Sequence, residues 1–115
     1  MDCIFCKIRD GVIPSTKVFE NDRVLAFRDI SPKAPVHILV IHREHTQSIS
    51  ATPADKAYIF ADIFSAVREI AGHLGLDEQG YRVLVNNGQA AGQEVPHVHI
   101  HILGGKDSLG PMLCP

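Results

Sequence analysis

No stretch of this 115-residue chain approaches the roughly 20 consecutive apolar residues of a membrane span. The first residues also lack the basic region and long apolar stretch of a secretory signal. An excess of one charge is missing too. Eleven Lys and Arg stand against thirteen Asp and Glu, a formal net charge of −2, so no global basic field draws in nucleic acid or a membrane surface. An anionic ligand must therefore be held by local donors. Cysteine is scarce, three in all, too few to read as a disulfide framework, and the expected location is cytoplasmic. There is no internal repeat, low-complexity tract or linker, and the length suits a single domain over residues 1–115. The hydrophobic fraction of 45% and charged fraction of 21% are those of a soluble globular protein.

What the chain does have is concentrated in His97-Val98-His99-Ile100-His101-Ile102-Leu103. Imidazole and aliphatic side chains alternate, the period-two signature of a half-buried strand. Val98, Ile100 and Ile102 then face a core, and the three histidines share the other face at intervals of roughly 6.5 to 7 Å. Each neutral imidazole both donates and accepts a hydrogen bond and titrates near working pH. Such a strand can supply a base, a nucleophile or metal ligands.

The elements around it follow from pattern and punctuation. Asp2 can cap a short helix that runs to about residue 9, with Gly11 as its stop. Cys3 and Cys6 sit one turn apart on it, either as a redox pair or as two unconnected thiols. Residues 16–20 and 23–28 read as a hairpin, residues 37–41 as a third, strongly apolar strand, and residues 81–86 as a fourth. Thr52-Pro53-Ala54-Asp55 reads as a helix start, with the helix running to about residue 74 before Gly75. Its apolar residues cover an arc of about 140°, which Ala57 and Ala61 widen to about 200°. A helix so broad is either deeply buried in one domain or shared with a second subunit. A glycine- and alanine-rich loop, residues 87–92, precedes the histidine strand. The expected fold is α+β: one antiparallel sheet of about five strands with a short N-terminal and a long helix.

The histidine strand resembles the motif of the histidine-triad (HIT) family of nucleotide hydrolases and transferases. The likeness extends through Ala26-Phe27-Arg28-Asp29-Ile30-Ser31-Pro32, Pro35-Val36-His37-Ile38-Leu39-Val40-Ile41 and Gly92-Gln93-Glu94-Val95. The tail, from Leu103-Gly104-Gly105 to Leu109-Gly110-Pro111-Met112, is similar to the Hint branch in its bacterial form.

That resemblance implies roles for particular residues. His99 is the nucleophile that forms a nucleotidyl-histidine, His101 hydrogen-bonds the phosphate or leaving group, and His37 supports the nucleophile from the neighbouring strand. Asn86, Gly92, Gln93 and Glu94 join His99 and His101 around the phosphate. For Glu94 only the backbone N–H carries over, because animal Hint proteins have serine there. Ile4, Phe5, Ile8, Phe27, Asp29 and Ile30 match positions that enclose a purine base and bind ribose. Cys3, Cys6, His45 and His97 match a structural zinc site, a closed set of two thiolates and two imidazoles. His42, three residues before His45, is the competing ligand. Cys114 is left over as a free thiol, and His73 reads as an ordinary residue at a helix end. A homodimer is implied as well. The implied activity is cleavage of the P–N bond of purine nucleoside 5′-phosphoramidates. The rivals are hydrolysis of dinucleoside polyphosphates and a zinc-stabilised nucleotide-binding module with little turnover.

Overall fold

The computed structural model describes residues 3–111. In chain order the elements are α1 (Ile4–Arg9), β1 (Lys17–Glu20), β2 (Val24–Arg28), β3 (Val36–His42), α2 (Tyr58–His73), β4 (Arg82–Leu84) and β5 (His99–Gly104). The strands form one sheet in the order β1-β2-β3-β5-β4, and every neighbouring pair is antiparallel. The α+β architecture is the expected one.

Alternation along the strands sorts the sheet into two faces. Val24 and Ala26 of β2, Ile38 and Val40 of β3, and Ile100 and Ile102 of β5 pack beneath α2. From the helix, Ile59, Ile63, Val67 and Ile70 close that core. The opposite face carries Leu25, Phe27, Leu39 and Ile41, covered by Phe5 and Ile8 of α1. Each of these large side chains contributes about 1.5–3 kcal/mol on burial. In the β3–β5 register Ile41 faces His99 and Leu39 faces His101, so the histidines stand on the α1 side. The face they share is therefore covered in part by α1, with Phe5 edge-on to His99.

Local boundaries differ from expectation for identifiable reasons. The expected cap Asp2 lies outside the described residues, and Cys3 takes that position, its Sγ accepting from the Cys6 N–H at 3.4 Å. The long helix begins at Tyr58, after a single 3₁₀ turn over Ala54–Lys56. Thr52 does not cap it, because its Oγ1 is engaged with the preceding loop, 2.7 Å from Ser48 O and 3.0 Å from Thr46 Oγ1. At the other end Leu76 N–H reaches Ala71 O at 2.9 Å and Gly75 N–H reaches Gly72 O at 3.3 Å. Gly75 has φ +68°, the left-handed stop that this pair of bonds requires. The fourth strand is shorter than residues 81–86. The fifth starts at His99, since His97 lies in a bend closed by its N–H on Val95 O at 2.8 Å.

Helix α2 buries a narrower stripe than the sequence offers. Ile59, Ile63, Ala66, Val67, Ile70 and Ala71 are buried. Ala57, Ala61 and Phe64, at one edge of the same apolar arc, are exposed, Phe64 to 49%.

Candidate functional site

The hydrogen bonds around the two strand histidines define which nitrogen of each ring carries the proton. His99 Nδ1 lies 2.7 Å from the carbonyl oxygen of His97. A carbonyl only accepts, so Nδ1 donates and Nε2 of a neutral ring keeps its lone pair. Phe5 meets the ring edge-on, with centroids 4.9 Å apart. Burial pushes the His99 pKa below its usual value, opposed by the His97 carbonyl and by the charges of Asp29 and Glu94.

His101 is held in the opposite sense. The His37 Nδ1 accepts the Lys33 backbone N–H at 3.0 Å, so the His37 proton sits on Nε2. That nitrogen lies 2.9 Å from His101 Nδ1 and 3.5 Å from Asp29 Oδ2. His101 Nδ1 therefore accepts, and His101 Nε2 bears a proton to donate. Burial, then the neighbouring His99 and His37, push the His101 pKa down to about 4; burial lowers His37 as well. The strand thus presents one imidazole lone pair and, two residues on, one imidazole N–H. Asp29 is anchored through Oδ1, which accepts the Ser31 N–H at 2.8 Å.

Asp29, His37 and His101 have ligand atoms close enough to suggest a cation. The Lys33 N–H on His37 argues for a held proton instead, since an ion on Nε2 would force the ring proton onto Nδ1 and break that bond.

A second cluster is of a different kind. Cys3 Sγ and Cys6 Sγ lie 3.3 and 3.6 Å from His97 Nδ1. His45 Nδ1 is 3.3 Å from Cys6 Sγ and 3.1 Å from His97 Nδ1. A tetrahedral ion holding nitrogen at about 2.0 Å and sulfur at about 2.3 Å sets edges of roughly 3.3 to 3.8 Å. The four donors fit that shape with slight expansion. His97 Nε2–H donates to the His42 carbonyl at 2.9 Å, which leaves its Nδ1 lone pair for the cluster. His97 is fully buried, and burial first of all lowers its pKa to about 4. These residues could hold a metal. His42 is not among them: its Nδ1 accepts the Glu44 N–H at 3.0 Å and its Nε2 lies 2.8 Å from Asp62 Oδ2 on α2. Asp62 in turn takes Arg23 Nη1 at 3.0 Å. Nothing in the sequence signals this His42–Asp62–Arg23 chain, because its members come from three separate elements.

The loop before β5 divides the expected phosphate contacts. Gly92 N–H bonds Gln89 O at 3.0 Å and Gln93 N–H bonds Gly88 O at 3.1 Å, so both donors belong to the turn itself. The Gln93 side chain is committed too. Its Oε1 accepts the Gly88 N–H at 2.9 Å, and its Nε2 lies 2.8 and 3.1 Å from the carbonyls of Gln47 and Val95. Among the described residues the N–H groups of Glu94 and Val95 and the Asn86 side chain make no such bonds. Of the loop donors expected to meet a phosphate, the Glu94 N–H is left unbonded while those of Gly92 and Gln93 are not.

The expected nucleoside residues separate by exposure. Phe5, Ile8 and Phe27 belong to the buried layer under α1, with Phe5 and Phe27 edge to face at 5.6 Å. Ile4 is 46% and Ile30 97% exposed. Phe5 and Phe27 can floor a pocket, whereas Ile30 projects into solvent.

Comparison with known proteins fits this geometry. The HIT domain model matches residues 10–108. A histidine triad protein from Clostridium difficile superimposes with a TM-score of 0.90 at 52% identity, covering 92% of each chain. A HIT family hydrolase from Legionella pneumophila does so with 0.88 at 45%, covering 91% of this chain and 94% of that one. The purine nucleoside phosphoramidase of Escherichia coli K12 is 42% identical over 97% of this chain and 93% of its own length. The five-stranded antiparallel sheet with one short and one long helix matches the fold of these histidine-triad structures. The chain belongs to the HIT domain family.

Proposed function

We propose that the protein is a nucleotide hydrolase that cleaves the P–N bond of purine nucleoside 5′-phosphoramidates. One observation carries this reading: the His97 carbonyl holds His99 Nδ1–H, leaving Nε2 as a nucleophile two residues from the His101 Nε2–H donor. His99 Nε2 attacks the α-phosphorus, an N–P bond forms, and the P–N bond to the amine breaks as the departing nitrogen takes up a proton. His101 Nε2–H steadies the charge that builds on the phosphoryl group or leaving nitrogen. Water then cleaves the nucleotidyl-histidine, releasing nucleoside monophosphate and restoring His99. The free N–H groups of Glu94 and Val95 face the same anion, and Asp29 accepts from ribose. The similarity to the named Escherichia coli phosphoramidase supports this choice of substrate over a dinucleoside polyphosphate.

Cys3, Cys6, His45 and His97 would hold a zinc ion, which would crosslink α1, the segment after β3 and the bend before β5. A closed set of four protein ligands would give it a structural role and leave His97 out of the phosphate chemistry.

A fluorogenic adenosine 5′-phosphoramidate tests the reading. Wild type should release AMP, and His99→Ala should fall below about a hundredth of wild-type kcat while still binding AMP. Retention of more than about a tenth, or a trapped nucleotidyl group on any other residue, places the nucleophile elsewhere.

A further inference from the structure

Asp29 directly follows β2, and its N–H bonds the His37 carbonyl at 3.0 Å. That bond sets its carboxylate beside the His37 ring, where the two oxygens take different partners. Oδ1 accepts the Ser31 N–H at 2.8 Å, so the carboxylate is not free to turn. Oδ2 lies 3.5 Å from His37 Nε2, the nitrogen whose proton points at His101 Nδ1 over 2.9 Å. The His37 side chain is 4% exposed and that of Asp29 19%, so water screens the charge only in part. Among the described residues no lysine or arginine pairs with Asp29. Lys33 turns its ammonium to Ser31 O at 2.9 Å.

Lys33 and Asp29 act on the His37 ring from opposite ends. The Lys33 N–H keeps a proton off Nδ1, and the carboxylate draws one to Nε2. An ionised carboxylate offers about four acceptor sites. Ser31 takes one and His37 faces another, which leaves room for two ribose hydroxyls. We propose that Asp29, besides accepting from ribose, is a positioning residue for the phosphate-side donor. It holds the His37 N–H on His101 Nδ1 and so keeps the His101 proton on Nε2. One carboxylate then joins sugar recognition to the group that steadies the phosphoryl charge. This rests on the transfer to His99 proposed above and adds a residue that acts on it through two imidazoles.

The test separates this role from the ribose contact. It uses a fluorogenic adenosine 5′-phosphoramidate and the same compound made from 2′,3′-dideoxyadenosine, which has no ribose hydroxyls to offer. Asp29→Asn keeps an oxygen for the Ser31 N–H and turns an amide N–H toward the His37 N–H, donor against donor. On the dideoxy compound the variant should lose about tenfold in kcat, the weight of one charge-assisted hydrogen bond. KM for that compound should move by less than about twofold. Wild-type kcat in the variant overturns the proposal, since Asp29 then acts through ribose alone. Imidazole ¹⁵N shifts at about pH 7.5 supply a readout that a loosened loop does not reproduce. Wild-type His101 should carry its proton on Nε2, and Asp29→Asn should add a population with the proton on Nδ1. An unchanged His101 tautomer in the variant overturns the proposal. A wild-type His101 protonated on Nδ1 overturns it without any substitution. If wild type hydrolyses neither compound, the hydrolase reading fails separately, and the tautomers alone decide the role of Asp29.

Discussion

A backbone carbonyl, that of His97, decides which nitrogen of His99 keeps its lone pair. A backbone amide, that of Lys33, acts through His37 to decide which nitrogen of His101 can donate. Neither partner is a side chain, so substitution cannot delete them directly. The protonation states they enforce are nonetheless measurable. His101 titrates at about 4 in the folded protein, against about 6.5 for a free imidazole. Between those values the unfolded chain binds more protons, so folding stability falls as pH drops from about 6.5 toward 4. Thermal melts should be flat in this respect above pH 7 and decline through that window, and His101→Gln should lessen the decline. A His101 imidazole that titrates at its ordinary value by NMR would remove this account.

At the scale of elements, α1 and α2 reach the site by different routes. Helix α1 contributes Cys3 and Cys6 directly to the four-donor cluster, as well as Phe5 against His99. Chelation or Cys6→Ser should therefore lower Tm by roughly 10 °C or more and weaken nucleotide binding, with a much smaller effect on kcat than His99→Ala. Protein purified without added zinc, holding well under half an equivalent and gaining no stability from the metal, would leave Cys3 and Cys6 as plain thiols. Helix α2 acts at one remove. Asp62 pins the His42 ring, and the His42 carbonyl holds His97 Nε2–H. Asp62→Ala leaves all four donors in place but loosens this support, so metal affinity should fall by about 10- to 100-fold. Unchanged affinity in a competition with a chromophoric chelator would confine Asp62 to surface pairing.

Across the whole molecule, one apolar surface on α2 lies exposed among the described residues. Ala61 and Phe64 of α2, with Ala57 just before it, share the flank of the helix beside its buried stripe, and all are exposed. At the sheet edge β4 is only three residues long and pairs on one side with β5. A two-fold homodimer would bury this helix flank against a second copy. Sedimentation at micromolar concentration should give about twice the chain mass of 12.6 kDa, and Phe64→Glu should shift it to monomer. A stable wild-type monomer would leave the exposed face unexplained.

The sequence by itself determined whatever depends on spacing along the chain. Period-two alternation placed Val98, Ile100 and Ile102 in the core, and Gly75 marked the end of α2, because strand pleat and left-handed φ are local properties. The family resemblance also pointed to His99, His101 and a metal set of Cys3, Cys6, His97 and either His45 or His42. Only the tertiary structure decided between His45 and His42, since the choice rests on Asp62 arriving from α2. It likewise tied the Gly92 and Gln93 N–H groups into the turn, left those of Glu94 and Val95 unbonded, and brought Phe5 of α1 against His99. A sequence states which polar groups exist; which of them remain unpaired is known only after every other segment has taken its share of hydrogen bonds.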